Sequence, residues 1–122
     1  MRFVRTVLPL AATALVVGGV ALAAPSKTTV LPTTKIGVKA TEYQFTMTKT
    51  RVPKGKVVFT IANVGTEVHD FKVVGKATKS RFITAGQRAT LTLSFPKAGS
   101  YQYVCTIGEH AIKGMRGVLV VK

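Results

Sequence analysis

The chain holds one cysteine and two histidines, and two of these three residues share one short stretch. Cys105 is followed five positions later by His110, and Met115 comes five positions after that, in the run Cys105-Thr-Ile-Gly-Glu-His110-Ala-Ile-Lys-Gly-Met115. The other histidine, His69, lies upstream, just beyond the polar loop 63–68. One thiolate and two imidazoles, with a weak and distant thioether, are the donor set of a trigonal blue-copper site. Soft sulfur favours Cu(I), and imidazole suits both oxidation states. The set therefore fits one ion that exchanges an electron between Cu(I) and Cu(II) with little rearrangement. Zinc would accept a cysteine and two histidines, but its fourth ligand is ordinarily a nitrogen, a thiolate or an oxygen. Met115 is what tips the set toward copper. The candidate metal ligands are thus His69, Cys105, His110 and Met115.

Each of these residues also has a plainer use. A lone buried cysteine is ordinarily a small hydrophobe, and a methionine is ordinarily core filling. A lone cysteine cannot form an internal disulfide, so its neighbours decide its role. Here the neighbours are a histidine and a methionine on one loop. Four protein ligands leave no open position for substrate activation, and no further histidine remains for a second, catalytic metal. The expectation is an electron carrier and not an enzyme. Two other readings are a copper carrier or sequestration protein, and a metal-free basic β-sandwich binding module. Four acidic residues offer no paired-carboxylate geometry, and Glu67 and Glu109 read as solvated charges. Ala111 and Ile112, beside His110, could form an apolar patch for a redox partner. Tyr101 and Tyr103 read as core residues. Tyr103, two positions before the strand-end Cys105, is also placed for a tyrosine corner.

The elements that must position these ligands read as β-strands. Ile36, Val38 and Ala40 alternate with Gly37 and Lys39, and Tyr43, Phe45 and Met47 alternate with polar residues. Residues 57–62 (VVFTIA) form a β-branched run. Residues 71–74 read as a short strand and 75–86 as a long polar connection. Leu91, Leu93 and Phe95 alternate with small polar residues. Tyr101, Tyr103 and Cys105 share one strand face, and residues 117–121 (GVLVV) close the chain. No amphipathic helical stretch of useful length follows residue 24. About seven short strands separated by Pro/Gly turns predict an all-β, antiparallel Greek-key β-sandwich or barrel.

Residues 1–23 read as an export signal: Arg2 and Arg5, then an apolar run, then Ala21-Leu22-Ala23 as a small-x-small cleavage site. An uncleaved membrane anchor is the alternative for this stretch. Residues 24–34 (APSKTTVLPTT) read as a flexible linker, and 35–122 as the folded domain. Export places the protein in the periplasm or outside the cell, or on the outer face of the cytoplasmic membrane if the signal is retained. Eighteen Lys and Arg against four Asp and Glu give a net charge of +14, and loss of Arg2 and Arg5 leaves +12. Such a field favours redox partners that are acidic at the docking face, and it would also favour an anionic membrane surface. Nucleic acid is not expected, because the cations are scattered and no stacking stripe or nucleic-acid motif accompanies them. The chain is expected to be a monomer.

The stretch from Tyr101 to Val121 (YQYVCTIGEHAIKGMRGVLVV) closely resembles the C-terminal copper-binding signature of the cupredoxins, the type 1 blue copper proteins. The four-residue gaps between its ligands resemble rusticyanin- and auracyanin-like members more than plastocyanin, whose loop is shorter. His69 after residues 63–68 resembles the family's upstream histidine. The resemblance implies a single-domain β-sandwich electron carrier, with His69, Cys105 and His110 as equatorial ligands and Met115 axial. Two positions depart from the family pattern. Asp70 stands where many members have Asn or Ser tying the ligand loops together, and Gly108-Glu109 stands where relatives often have Pro-Gly. An ionised Asp70 near copper would favour Cu(II) and lower the potential, whereas a protonated or hydrogen-bonded one need not.

Overall fold

A computed structural model describes residues 11–26 and 28–122. The first ten residues of the expected export signal lie outside the described residues, and described residues 11–32 carry no regular secondary structure. No described helix is long and apolar enough to cross a membrane. Eight strands follow: β1 (Thr33–Thr41), β2 (Gln44–Met47), β3 (Arg51–Val52), β4 (Gly55–Asn63), β5 (Lys72–Val73), β6 (Arg88–Phe95), β7 (Gly99–Val104) and β8 (Arg116–Val121). They make two four-stranded sheets, ordered β2-β1-β4-β6 and β3-β8-β7-β5. The all-β sandwich is as the alternation predicts. It differs from the expected pattern in having eight strands and in pairing β1 with β4 and β3 with β8 in parallel, so both sheets are mixed. Period-two alternation reports which face is buried but not which way a neighbour runs.

The core lies between the sheets because each long strand buries one face. β4 alternates strictly, with Val57, Phe59 and Ile61 inward and Lys56 and Thr60 outward. β6 does the same through Ala89, Leu91, Leu93 and Phe95. Phe71 centres an aromatic cluster, with ring centroids 4.9 Å from Phe59, 5.2 Å from Phe45 and 5.5 Å from Tyr103. Gly117 stands opposite Tyr103 in the β7–β8 register, and a Cβ there would collide with the phenol. Phe71 is two residues from His69, and Cys105 and Met115 belong to the same buried cluster as Phe71. The tyrosine-corner bond is made by Tyr101 and not by Tyr103: the Tyr101 hydroxyl donates to the Lys97 carbonyl at 2.8 Å. Tyr103 points inward at a core ring, whereas Tyr101 reaches back to the turn before β7.

Candidate metal centre

Two segments converge at one end of the sandwich. The first leaves β4 at Asn63, a buried residue that shapes the following loop with its side chain. Its Oδ1 accepts the Gly65 N–H at 2.9 Å, while its Nδ2 donates to the carbonyls of Glu67 at 2.7 Å and Ile83 at 2.8 Å. His69 then pairs with Ile83 in an antiparallel bridge, its N–H donating to the Ile83 carbonyl at 3.1 Å and its own carbonyl accepting the Ile83 N–H at 2.7 Å. The long connection before β6 therefore clamps His69 in place.

The second segment is the loop from Cys105 to Met115, at the end of β7. It folds as successive tight turns. His110 N–H donates to the Ile107 carbonyl at 3.1 Å, Lys113 N–H to Glu109 at 3.0 Å, and Gly114 N–H to Ala111 at 3.1 Å. Gly108 and Gly114 take the positive φ these turns need, at 45° and 112°. Met115 N–H bonds the His110 carbonyl at 3.0 Å, and Cys105 N–H bonds the Met115 carbonyl at 3.1 Å. These bonds tie the three spaced residues into one compact loop.

His69, Cys105 and His110 are all buried, and one donor atom from each lies within 4.8 Å of the others. Nδ1 of His69 is 3.2 Å from Nδ1 of His110, which is 3.6 Å from the Cys105 sulfur. Met115 is fully buried and is held beside them through its backbone. The outer nitrogens explain why the rings face inward. Nε2 of His69 lies 3.2 Å from Oε1 of Glu42, and Nε2 of His110 lies 2.9 Å from Oε2 of Glu67. The Glu67 backbone N–H, opposed by burial and joined by the Thr66 N–H and by His69, holds the Glu42 carboxyl down to about 2. As an ionised acceptor, Glu42 requires the His69 proton on Nε2. That turns the Nδ1 side of the ring toward His110. Electron-pair donors facing one another at these distances suit a cation between them, and the mix of thiol sulfur and imidazole nitrogen suits copper. Burial pushes the Cys105 thiol up, so binding as thiolate would release a proton.

Asp70 links the two segments. It is fully buried. Its Oδ1 accepts the Thr106 N–H at 2.6 Å, and its Oδ2 accepts from the Thr106 hydroxyl and from Lys79 Nζ, the latter at 2.8 Å. Burial alone would raise its pKa, but the bonds from Lys79 and Thr106 outweigh it and hold the carboxyl below the usual carboxylate range. Glu67 is not the simple solvated charge expected, since it caps His110 and its Oε1 also accepts from the Tyr43 hydroxyl at 3.2 Å. Sequence reasoning missed Glu42 altogether. Its one available signal was a lone acid at a hairpin tip in a chain with only four acids.

A family model for the cupredoxin-like domain matches residues 12–121. The chain belongs to the cupredoxin-like family. No curated protein sequence matches it. Among solved structures it is similar to auracyanin B, with a TM-score of 0.62 and 18% identity over 73% of this chain and 88% of that one. It is similar as well to auracyanin A, a "blue" copper protein of Chloroflexus aurantiacus, with a TM-score of 0.60 and 19% identity over 75% of this chain and 100% of that one. Rusticyanin of Thiobacillus ferrooxidans gives a TM-score of 0.59 and 24% identity over 74% of this chain and 77% of that one.

Proposed function

We propose that this protein is a one-electron carrier that holds a single copper ion through His69, Cys105 and His110, with Met115 as the weak axial ligand. The observation that carries the reading is the buried convergence of one sulfur and two imidazole nitrogens. Bound copper supplies a Cu(II)/Cu(I) couple, and the chain's residues do the rest. Cys105 and the two histidines offer donors already in place, so little has to move when the charge changes. The clamp on His69 and the turns around His110 resist rearrangement.

His110 is the ligand nearest the surface, at 9% exposure. Its neighbour Ile112 is 82% exposed, which makes this edge the route by which an electron reaches a partner protein. Both histidines of the chain are committed to this centre, which supports electron transfer over catalysis. The similarity to auracyanin A, a blue copper protein by its own description, supports the same reading. We place the protein outside the cytoplasm, as a monomer working with partners acidic at their docking face, on the strength of residues 1–23 and the basic charge.

Absorbance and electron paramagnetic resonance of the copper-loaded protein test this directly. An intense blue band with a small copper hyperfine splitting is expected. A pale, copper-replete protein would mean a delivery or storage site instead, and failure to bind copper would leave only a basic β-sandwich module.

A further inference from the structure

We propose that Glu42 and Glu67 are positioning residues of the metal centre, each holding the outer nitrogen of one ligand imidazole so that both rings present Nδ1 to one ion and the oxidised ion is favoured. This rests on the copper reading above. It goes beyond that reading by assigning a third segment, the turn between β1 and β2, to the site.

Glu42 is built into its place. The same Oε1 that faces His69 Nε2 at 3.2 Å accepts the backbone N–H of Thr66 at 2.7 Å and of Glu67 at 2.8 Å. The berth exists because residue 65 is a glycine: a Cβ there would overlap the carboxylate. Tyr43, the next residue, serves the other ring. Its hydroxyl donates to Glu67, whose second oxygen is on His110 Nε2, and its ring centroid lies 4.9 Å from that of His110. Lys113 covers Tyr43 from outside, its Nζ 4.5 Å from the ring centroid and 3.4 Å from the hydroxyl. One hairpin tip therefore reaches both imidazoles from behind. Carboxylates behind metal-bound histidines fix the ring orientation and raise its basicity. Because Cu(II) carries one more positive charge than Cu(I), fixed negative charge one ring away lowers the potential. The two pairs are not equal. Side-chain exposure is 0% and 27% for His69 and Glu42, against 11% and 45% for His110 and Glu67. Water screens the second pair more, so Glu42 has the larger effect.

The test is the reduction potential of the full-length copper-loaded protein and of three variants. Glu42→Gln keeps an oxygen acceptor but removes the charge. It should weaken Cu(II) relative to Cu(I) by about tenfold, which is a rise of about 59 mV for one electron. Glu67→Gln should raise the potential by less. Gly65→Ala should raise the potential in the same direction but by less than Glu42→Gln, because it displaces the carboxylate while leaving its charge in the chain. Blue bands in all four proteins with unchanged potentials would overturn this inference and leave the copper reading standing. No blue band in the parent protein would overturn both. A measurement on the unaltered Cu(I) protein covers a variant that does not fold: the His69 Nε2 proton should give a slowly exchanging nuclear magnetic resonance signal, and rapid exchange with water would sink the proposal.

Discussion

Cys105 and His110 reach the candidate metal centre along one loop of eleven consecutive residues that ends at Met115, held together by turns whose hydrogen bonds span three to ten positions. His69 reaches the same point from segment 63–70, which is held by Ile83, Thr106 and Glu42, residues drawn from across the fold. The first region is local and carries most of the donors. The second is nonlocal and fixes where the local loop's partner stands. A ligand set can thus be compressed into one loop, but a rigid site also needs a lock built from the tertiary structure. The two jobs here fall to different residues, and substitutions should separate them.

The largest expected effect is on the donor side. Cys105→Ser removes the sulfur, so the blue band should vanish while the far-ultraviolet circular dichroism of a β-sandwich remains. A retained band would mean that the thiolate does not colour the site, and the division of labour would fail. Asn63→Ala attacks the lock instead. It deletes three hydrogen bonds of a buried side chain and leaves the Gly65 N–H and the Glu67 carbonyl without that partner, at a cost of roughly 1–3 kcal/mol. Urea unfolding should show that loss while the copper-loaded protein keeps its band. An Asn63→Ala protein as stable as the parent would show that His69 needs no such lock. Asp70→Ala sits between the regions. Losing its bonds to Thr106 and Lys79 should destabilise the fold by about 1.5–3 kcal/mol, read from the same unfolding curves.

The same division explains what could be read from the sequence. The loop from Cys105 to Met115 was legible because its chemistry is packed into adjacent positions, and a five-residue spacing needs only turns to bring the donors together. The strands were legible because burial writes period two into residues such as Ile36, Val38 and Ala40. Glu42 was not legible, because its approach to His69 depends on the parallel register that sets Ala40 opposite Asn63. That register carries the β1–β2 turn alongside loop 63–69. Nothing in alternating side chains distinguishes a parallel neighbour from an antiparallel one. Glu67 looked like a solvated loop acid for the same reason, since its partner His110 lies 43 positions on. β3, only two residues long, has too few positions to show a period.

Met115→Gln should sharpen the comparison with a smaller effect. Met115 is fully buried at the end of the local loop, and its backbone bonds to Cys105 and His110 do not depend on its side chain. Copper and colour should therefore persist, while the reduction potential falls because an amide oxygen favours Cu(II) more than a thioether does. Redox titration reads the shift. An unchanged potential would remove Met115 as an axial tuner and confine its role to packing.

The smallest effect concerns charge, where the two ends of the molecule differ again. All four acids gather at the ligand end: Glu42 on His69, Glu67 on His110, Asp70 between the loops, and Glu109 next to His110 in sequence. The cations are spread over the whole domain. An acidic redox partner should therefore be drawn in by the net field at long range but meet partial cancellation as it nears His110. Electron transfer to such a partner, followed by stopped-flow absorbance, should slow as ionic strength rises from 0.01 to 0.15 M, where the screening length shrinks from about 30 to about 8 Å. Steering by net charge spans 10- to 10³-fold, and the local acids put this protein near the lower end, at roughly tenfold. Glu109→Gln should steepen the dependence by removing one of the opposing charges beside the exit. A rate indifferent to salt in both proteins would mean that the basic field plays no part in docking and that contact at the apolar edge near Ile112 governs the encounter.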